Sequence, residues 1–432
     1  MNPAVEIFSS GDIYIEDDRI IAAEDAVSIP PASTPEVIDG RGKIAIPGFI
    51  SAHHHLFQSL LRGLQPNSRL PEWLSGCILP IGPRLSPDDL YWAVRLSLAE
   101  CIESGVTSIV DWAYNLHSAE HAAATLTAMR DSGARVHFAY GPSMAKGWGD
   151  FDVRLGEFEQ IRADYFGGRN QDGRIRLWLG LGGPELQDEG AFREQFAYAR
   201  RQQLHVHMHL RELELLEPKD AVARLDRWGL LGPDLLLAHA VDLREDDPEI
   251  LAQSGTKVSY NPLSNMRLGH GICRAVELRQ HGVGVALGLD GAASNDNNDY
   301  FTLMRAALGL QRARLLRADC ITPDDILQMA TAEGAGCLGD DGAGIIAPGK
   351  KADLLLIDPN TLNLTPLNNF VAQLVFCAQP RNVDTVIIDG CILKRDGGLV
   401  NTDIDEIMAR CRIISRRLLT EAGVAHSPVI IN

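Results

Sequence analysis

Pro47-Gly48-Phe49-Ile50-Ser51-Ala52-His53-His54-His55 ends an apolar run that begins at Ile44. The run Ile44 to Ile50 reads as a buried strand, and three histidines follow it. Side chains on a strand alternate between its faces, so His53 and His55 point one way and His54 the other. Two imidazoles side by side at a strand end suit one divalent metal. An exposed turn would read the same way in isolation. What separates the two readings is whether other strands end in matching groups.

Further apolar runs follow: Thr107 to Val110, Arg135 to Tyr140, Ile175 to Leu181, Leu204 to Leu210, Leu235 to His239, Lys257 to Tyr260 and Val283 to Leu289. With Ile44 to Ile50 they make eight. Helical stretches lie between them, among them Pro87 to Ser104, Ala119 to Asp131 and Asp188 to Arg201. Strands each followed by a helix predict an α/β fold, a (β/α)8 barrel. A doubly wound open sheet is the alternative, and no Gly-x-Gly-x-x-Gly follows an early strand. The two ends of the chain have another texture. Asp12-Ile13-Tyr14-Ile15 and Asp17-Asp18-Arg19-Ile20-Ile21 read as short strands. So do Lys351-Ala352-Asp353-Leu354-Leu355-Leu356-Ile357-Asp358-Pro359, stopped by its proline, and the hairpin Val383 to Leu393 around Asp389-Gly390. One small β-domain built from both termini is expected, with the limits 1–48 and 343–400 around a barrel at 49–342. Ile404 to Leu419 is expected as a surface helix, with a tail, in 401–432.

Composition bounds the function. The chain has 432 residues, 45% of them hydrophobic, and a formal net charge of -17. That is a globular composition with an acidic surface, which argues against nucleic acid as a partner. No run is long and apolar enough to span a bilayer, and Met1-Asn2-Pro3-Ala4-Val5-Glu6 lacks the basic-then-apolar pattern of a signal peptide. The eight cysteines are scattered and form no CxxC pair, so reduced thiols and a cytoplasmic location are expected.

In such a barrel the chemistry sits at the C-terminal ends of the strands. The first strand ends in His53 and His55. The fifth, His205-Val206-His207-Met208-His209-Leu210, puts three histidines on one face, with His209 nearest the mouth and Glu212 three residues on. His205 and His207 lie deeper and read as core side chains. The sixth strand ends in His239 and the eighth in Asp290. His53, His55, His209 and Asp290 can therefore hold one divalent cation, with zinc expected first and ferrous iron the alternative. An open position on it would activate water. Glu212 stands where a proton shuttle is needed, and His239 where the water or a developing alkoxide needs orienting.

These motifs resemble those of the amidohydrolase superfamily, in its branch of mononuclear aminohydrolases. The resemblance rests on Pro-Gly-Phe-Ile-Ser-Ala-His-His-His, His-Met-His-Leu-Arg-Glu, Leu-Leu-Ala-His-Ala and Gly-Leu-Asp-Gly-Ala-Ala-Ser-Asn-Asp, and runs from Gly40 to about Val400. It implies a distorted TIM barrel plus a β-sandwich, with His53, His55, His209 and Asp290 as metal ligands. Glu212 would protonate a ring nitrogen, His239 would stabilise the attacking hydroxide, and Asp290 would take the water's proton. The fourth strand ends Gly182-Gly183-Pro184 with no lysine, which favours one metal over two. A homodimer is expected on resemblance alone.

The implied activity is deamination of a small nitrogen heterocycle, of oxopurine or pterin type, with release of ammonia. His55-Leu56-Phe57-Gln58-Ser59-Leu60-Leu61-Arg62-Gly63 is similar to the matching segment of guanine, 8-oxoguanine and isoxanthopterin deaminases. By that resemblance Gln58 would contact a ring carbonyl. Trp73, Trp112, Tyr114 and Tyr140 are candidates to stack on a flat ring. Arg211 stands where many relatives carry alanine and is a candidate polar contact. The alternatives are an s-triazine hydrolase releasing alkylamine or halide, a ring-opening cyclic amidase, and a non-catalytic protein that kept the barrel to bind a ligand or a partner; that last should have lost a metal ligand or the acid, and none is missing.

Overall fold

The computed structural model describes residues 11–24, 36–143, 155–184, 189–212, 219–340 and 342–424. The expectations for the first residues, for residue 188 and for the tail after residue 424 lie outside them. In chain order the strands are β1 (Asp12–Glu16), β2 (Arg19–Glu24), β3 (Ile44–Pro47), β4 (Phe49–His54), β5 (Val106–Ala113), β6 (Arg135–Tyr140), β7 (Gln171–Asp172) and β8 (Ile175–Leu181). They continue with β9 (Val206–Leu210), β10 (Leu235–His239), β11 (Lys257–Tyr260), β12 (Val285–Leu287), β13 (Leu354–Ile357), β14 (Val383–Ile388), β15 (Cys391–Arg395) and β16 (Gly398–Leu399).

Eight of these pair in parallel, in the order β4-β5-β6-β8-β9-β10-β11-β12. Helices connect them, as the right-handed crossover of parallel strands requires. The helix Pro87–Glu103 starts at a capping box, in which Ser86 accepts from Asp89 N and Asp89 accepts from Ser86 N. The sheet curls until its ends meet. Beyond β12, Asp290 N donates to His53 O at 3.0 Å and Leu289 N to Ser51 Oγ at 3.1 Å. The fold is thus the expected barrel, and its first and last strands are stitched together at the level of the histidines. Strands buried on both faces read as continuous apolar runs, which is why they were visible in the sequence. Among the described residues no helix is long and apolar enough to cross a membrane.

The opening stretch divides where one strand was expected. Ile44 to Pro47 pairs antiparallel with β13, in a five-stranded sheet ordered β16-β15-β14-β13-β3. Phe49 to His54 is the first barrel strand. Gly48 is the joint: a Cβ there would stand 2.1 Å from Thr107 Oγ1 and 2.7 Å from Thr107 Cβ. Only a residue without a side chain lets β5 come that close. The two-stranded sheet β1-β2 covers a small core of Leu354, Leu356 and Ile387, to which it adds Ile13 and Ile15. Both chain ends therefore build the small domain. All eight cysteines are free thiols, five of them buried.

Candidate active site

Each histidine of the site is defined by what its second nitrogen does. His207 Nδ1 lies 2.9 Å from Leu236 O, and a carbonyl only accepts, so His207 carries its proton there. His207 Nε2 is then a bare acceptor, 2.7 Å from His53 Nδ1. His53 must donate to it, which leaves His53 Nε2 unprotonated, buried and without a hydrogen-bond partner. His55 Nδ1 likewise donates to Trp112 O at 2.8 Å, so its Nε2 is also a lone pair. Burial pushes these rings well below the usual histidine range, to about 4 for His55 and about 3 for His207. Neutral imidazoles with an inward lone pair are the ligand form.

The inward atoms meet. His55 Nε2 stands 3.3 Å from His209 Nε2, and Asp290 Oδ1 stands 3.6 Å from His53 Nε2 and 3.5 Å from His55 Nε2. Tetrahedral ligands placed about 2.0–2.1 Å from a zinc ion are about 3.3–3.4 Å from one another. Distances, donor types and the partnerless His53 Nε2 thus fit a small divalent cation. His53, His209 and His239 also have ligand atoms within 4.8 Å of one another. His239 differs in its proton, however. Asn265 Nδ2 donates to His239 Nδ1 at 3.0 Å, so the neutral ring carries its hydrogen on Nε2, aimed at the same space. That makes His239 a donor rather than a ligand.

Two carboxylates complete the cluster. Asp290 sits at φ 64°, in the left-handed region, as the chain turns after β12. Burial raises its pKa to about 6, against hydrogen bonds from Ser264, Gly291 and Ser294 that lower it. Its second oxygen, Oδ2, is 3.8 Å from His239 Nε2. Glu212 Oε1 is 3.9 Å from His239 Nε2 and 3.5 Å from His270 Nδ1. His53, His55, His209, His239, Asp290 and Glu212, all expected from strand ends, are therefore brought together. His54 faces away and bonds Asn298 Oδ1 at 3.0 Å.

The expected substrate contacts divide. Gln58 is buried, donates Nε2 to Tyr114 OH at 2.8 Å and leaves its Oε1 without a partner. It presses on the turn after Asp290, where a Cβ on Gly291 would stand 1.9 Å from Gln58 Oε1. Trp73 donates Nε1 to Ala293 O at 3.0 Å on that same turn. Trp112 and Tyr114 flank the imidazoles: Trp112 is 4.6 Å from the His209 ring and Tyr114 is 5.0 Å from the His55 ring. Tyr140 is not brought to the cluster. It shares the outer face of β6 with Phe138 and packs on Phe158 of the following helix, because alternation aims His137 inward instead. Arg211 is 1% exposed and folds back onto the Asp242 carboxylate and carbonyl. Its guanidinium is spent within the protein. Residues the sequence reading missed are Asn265, His207 as an orienting group, and His270. Only His207 left a signal, its place on the inward face of β9.

An Amidohydrolase family model matches residues 44–393. A 5'-deoxyadenosine deaminase of Methanothermobacter thermautotrophicus is 37% identical over 404 residues, covering 90% of this chain and 90% of the relative. A 5-methylthioadenosine/S-adenosylhomocysteine deaminase of Pelotomaculum thermopropionicum is 34% identical over 421 residues, covering 96% and 95%. Among solved structures, an adenosine deaminase from Xanthomonas campestris with bound zinc superposes with a TM-score of 0.83 at 25% identity, covering 96% of this chain and 95% of the other.

Proposed function

The chain belongs to the amidohydrolase family and is a hydrolase acting on C–N bonds, a deaminase of a nucleoside-like amine; from that premise we propose which residues do the work and on what ring. His53, His55, His209 and Asp290 hold one divalent metal, zinc before iron. The observation that carries this is the convergence of their inward atoms, His55 Nε2 at 3.3 Å from His209 Nε2 and Asp290 Oδ1 at 3.5 and 3.6 Å from His55 and His53 Nε2. The bound cation supplies Lewis acidity, which brings the pKa of water down towards neutrality.

The protein's own groups handle the protons. Glu212 takes a proton from the attacking water and delivers it to the ring nitrogen of a cyclic amidine, C(-NH2)=N. That nitrogen becomes N–H as oxygen adds to the neighbouring carbon. His239 donates Nε2–H to the added oxygen, and Asn265 keeps that hydrogen on Nε2. Asp290 takes the remaining hydroxyl proton and passes it to the amino group, which departs as ammonia while the carbon becomes a carbonyl. Trp112 and Tyr114, packed against the His209 and His55 rings, wall the cluster on one side.

The substrate read most directly from the relatives is a 6-aminopurine nucleoside of the 5'-deoxyadenosine or 5-methylthioadenosine kind. A second reading, an oxopurine or pterin, is supported by Gln58, whose Oε1 is buried and partnerless beside Asp290. The Gln58–Tyr114 pair can present an acceptor or a donor to a lactam edge, because a hydroxyl can serve as either. Metal analysis followed by ammonia release across 5'-deoxyadenosine, 5-methylthioadenosine, guanine and pterins separates them. Alkylamine or halide release from a triazine, or a new carboxylate without ammonia, would reject both. Glu212→Gln should keep its metal and lose turnover by about 10²–10⁴-fold. Near-normal turnover in that variant would reject the assignment of Glu212.

A further inference from the structure

Among the described residues, His270 is the one imidazole facing Glu212 that the mechanism leaves unused. It is 3% exposed, and neither of its ring nitrogens has a hydrogen-bond partner among the described residues. Buried polar groups are nearly always paired, so an imidazole left bare in the wall of an active site calls for a reason. The chain also goes to some length to aim it inward. Gly269 at φ 67° and Gly271 at φ 115° bracket it, both in the left-handed region that side chains resist, and His270 N bonds Asn265 O at 2.9 Å. The helix Pro262–Arg267 thus carries Asn265, which fixes His239, and the loop that follows it carries His270, which faces Glu212.

Glu212 Oε1 lies between the two rings, 3.5 Å from His270 Nδ1 and 3.9 Å from His239 Nε2. Burial, and to a lesser degree Arg69, holds the His270 ring at about 4, so at neutral pH it has one N–H to offer. The separation is just beyond a hydrogen bond. Such contacts are often long in the free enzyme and tighten when substrate fills the site.

We propose that His270 is a positioning residue for Glu212: its Nδ1–H closes on Oε1 and pins that oxygen, so that the carboxylate is held where it carries the proton from the water to the ring nitrogen. This rests on the assignment of Glu212 as the proton carrier. His270 acts on the carboxylate's geometry and touches neither the cation's ligands nor the leaving group. It therefore influences the chemical step and leaves metal loading and ground-state binding alone.

The test is a mutant cycle on the metal-loaded enzyme, read by ammonia release from the aminopurine that the wild type turns over best. His270→Leu, or His270→Ser should the leucine variant not fold, removes the donor. It should lower kcat about 10–100-fold, the fold-change expected from losing a hydrogen bond to a charged group, with KM and metal content little changed. His270→Asn places an amide N–H near the same spot and should recover most of that loss. In the Glu212→Gln background the same change should cost almost nothing more, because the proton carrier that His270 positions is already gone, although the amide oxygen can still accept. Unchanged kcat in the donor-less variant, failure of asparagine to rescue, or a full additional loss on top of Glu212→Gln would overturn the inference. If Glu212→Gln itself keeps turnover, it is the mechanism that fails, a different result from a silent His270.

Discussion

An imidazole binds a cation only through the nitrogen that carries no proton, so a histidine site is specified as much by its outward hydrogen bonds as by its inward ones. Leu236 O sets the proton on His207, and His207 sets the proton on His53. Breaking that relay should loosen the cation without emptying the site. We expect His207→Ala to weaken zinc affinity by about 10–100-fold, measured by competition with a chelator. Wild-type affinity in the variant would mean that His53 keeps its tautomer unaided. Which residues were legible in the sequence follows from the same physics. His53, His55, His209, His239 and Asp290 stand at strand ends, where the period of two and the rule about barrel mouths are enough to align them. The face of His207 is legible too, but its partner on the neighbouring strand is not. His270 lies in a loop between two glycines, where no period applies. Tyr140 shows the cost of weighing residue type above alternation: an aromatic at a strand's C-terminal end looks like a stacking platform, yet its face belongs to Phe138 and the helix behind it.

The first apolar run shows what periodicity cannot tell. Ile44 to Pro47 and Phe49 to His54 are both extended and apolar, so the sequence runs through Gly48 without a break in pattern. What changes there is the neighbour: β13 on one side, β5 on the other. Gly48 N donates to Asp353 O at 3.0 Å and Phe49 N to Gly105 O at 3.0 Å, so the joint is bonded to both sheets at once. No side chain fits. Rotation of Thr107 would not help, because its Cβ, which rotation cannot move, is itself 2.7 Å from the added methyl. Gly48→Ala should therefore destabilise the protein by about 1–3 kcal/mol, the usual cost of overpacking, read as a lower denaturation midpoint at constant slope. Because β4 carries His53 and leads into His55, two of the proposed metal ligands, the same variant should also release a bound divalent cation more readily. A midpoint unmoved by the substitution would show that β5 can give way and that Gly48 is not the constraint.

The barrel's opposite end is held by charge where the mouth is built of histidines. Arg135, the first residue of β6, is 1% exposed and bidentate to Asp353, at 3.0 Å and 3.1 Å, with Asp389 also on its guanidinium. Asp353 leads into β13 and also accepts from Asp389 N at 2.7 Å, while Asp389 makes the β14–β15 turn and pairs with Lys351 at 3.1 Å. The cluster thus ties the floor of the barrel to the sheet built from both chain ends. A guanidinium paired this way satisfies several buried oxygens, and removing it leaves carboxylates buried and unpaired. Arg135→Ala should cost about 3–5 kcal/mol by that mechanism. In (β/α)8 barrels, stability is concentrated at this floor and chemistry at the mouth, so the loss should fall on stability alone. Folded, metal-loaded Arg135→Ala should keep its kcat while its denaturation midpoint drops. A fall in kcat of the same size as that of Glu212→Gln would mean that the two ends of the barrel are not separable, and that the small domain reaches the chemistry through β6.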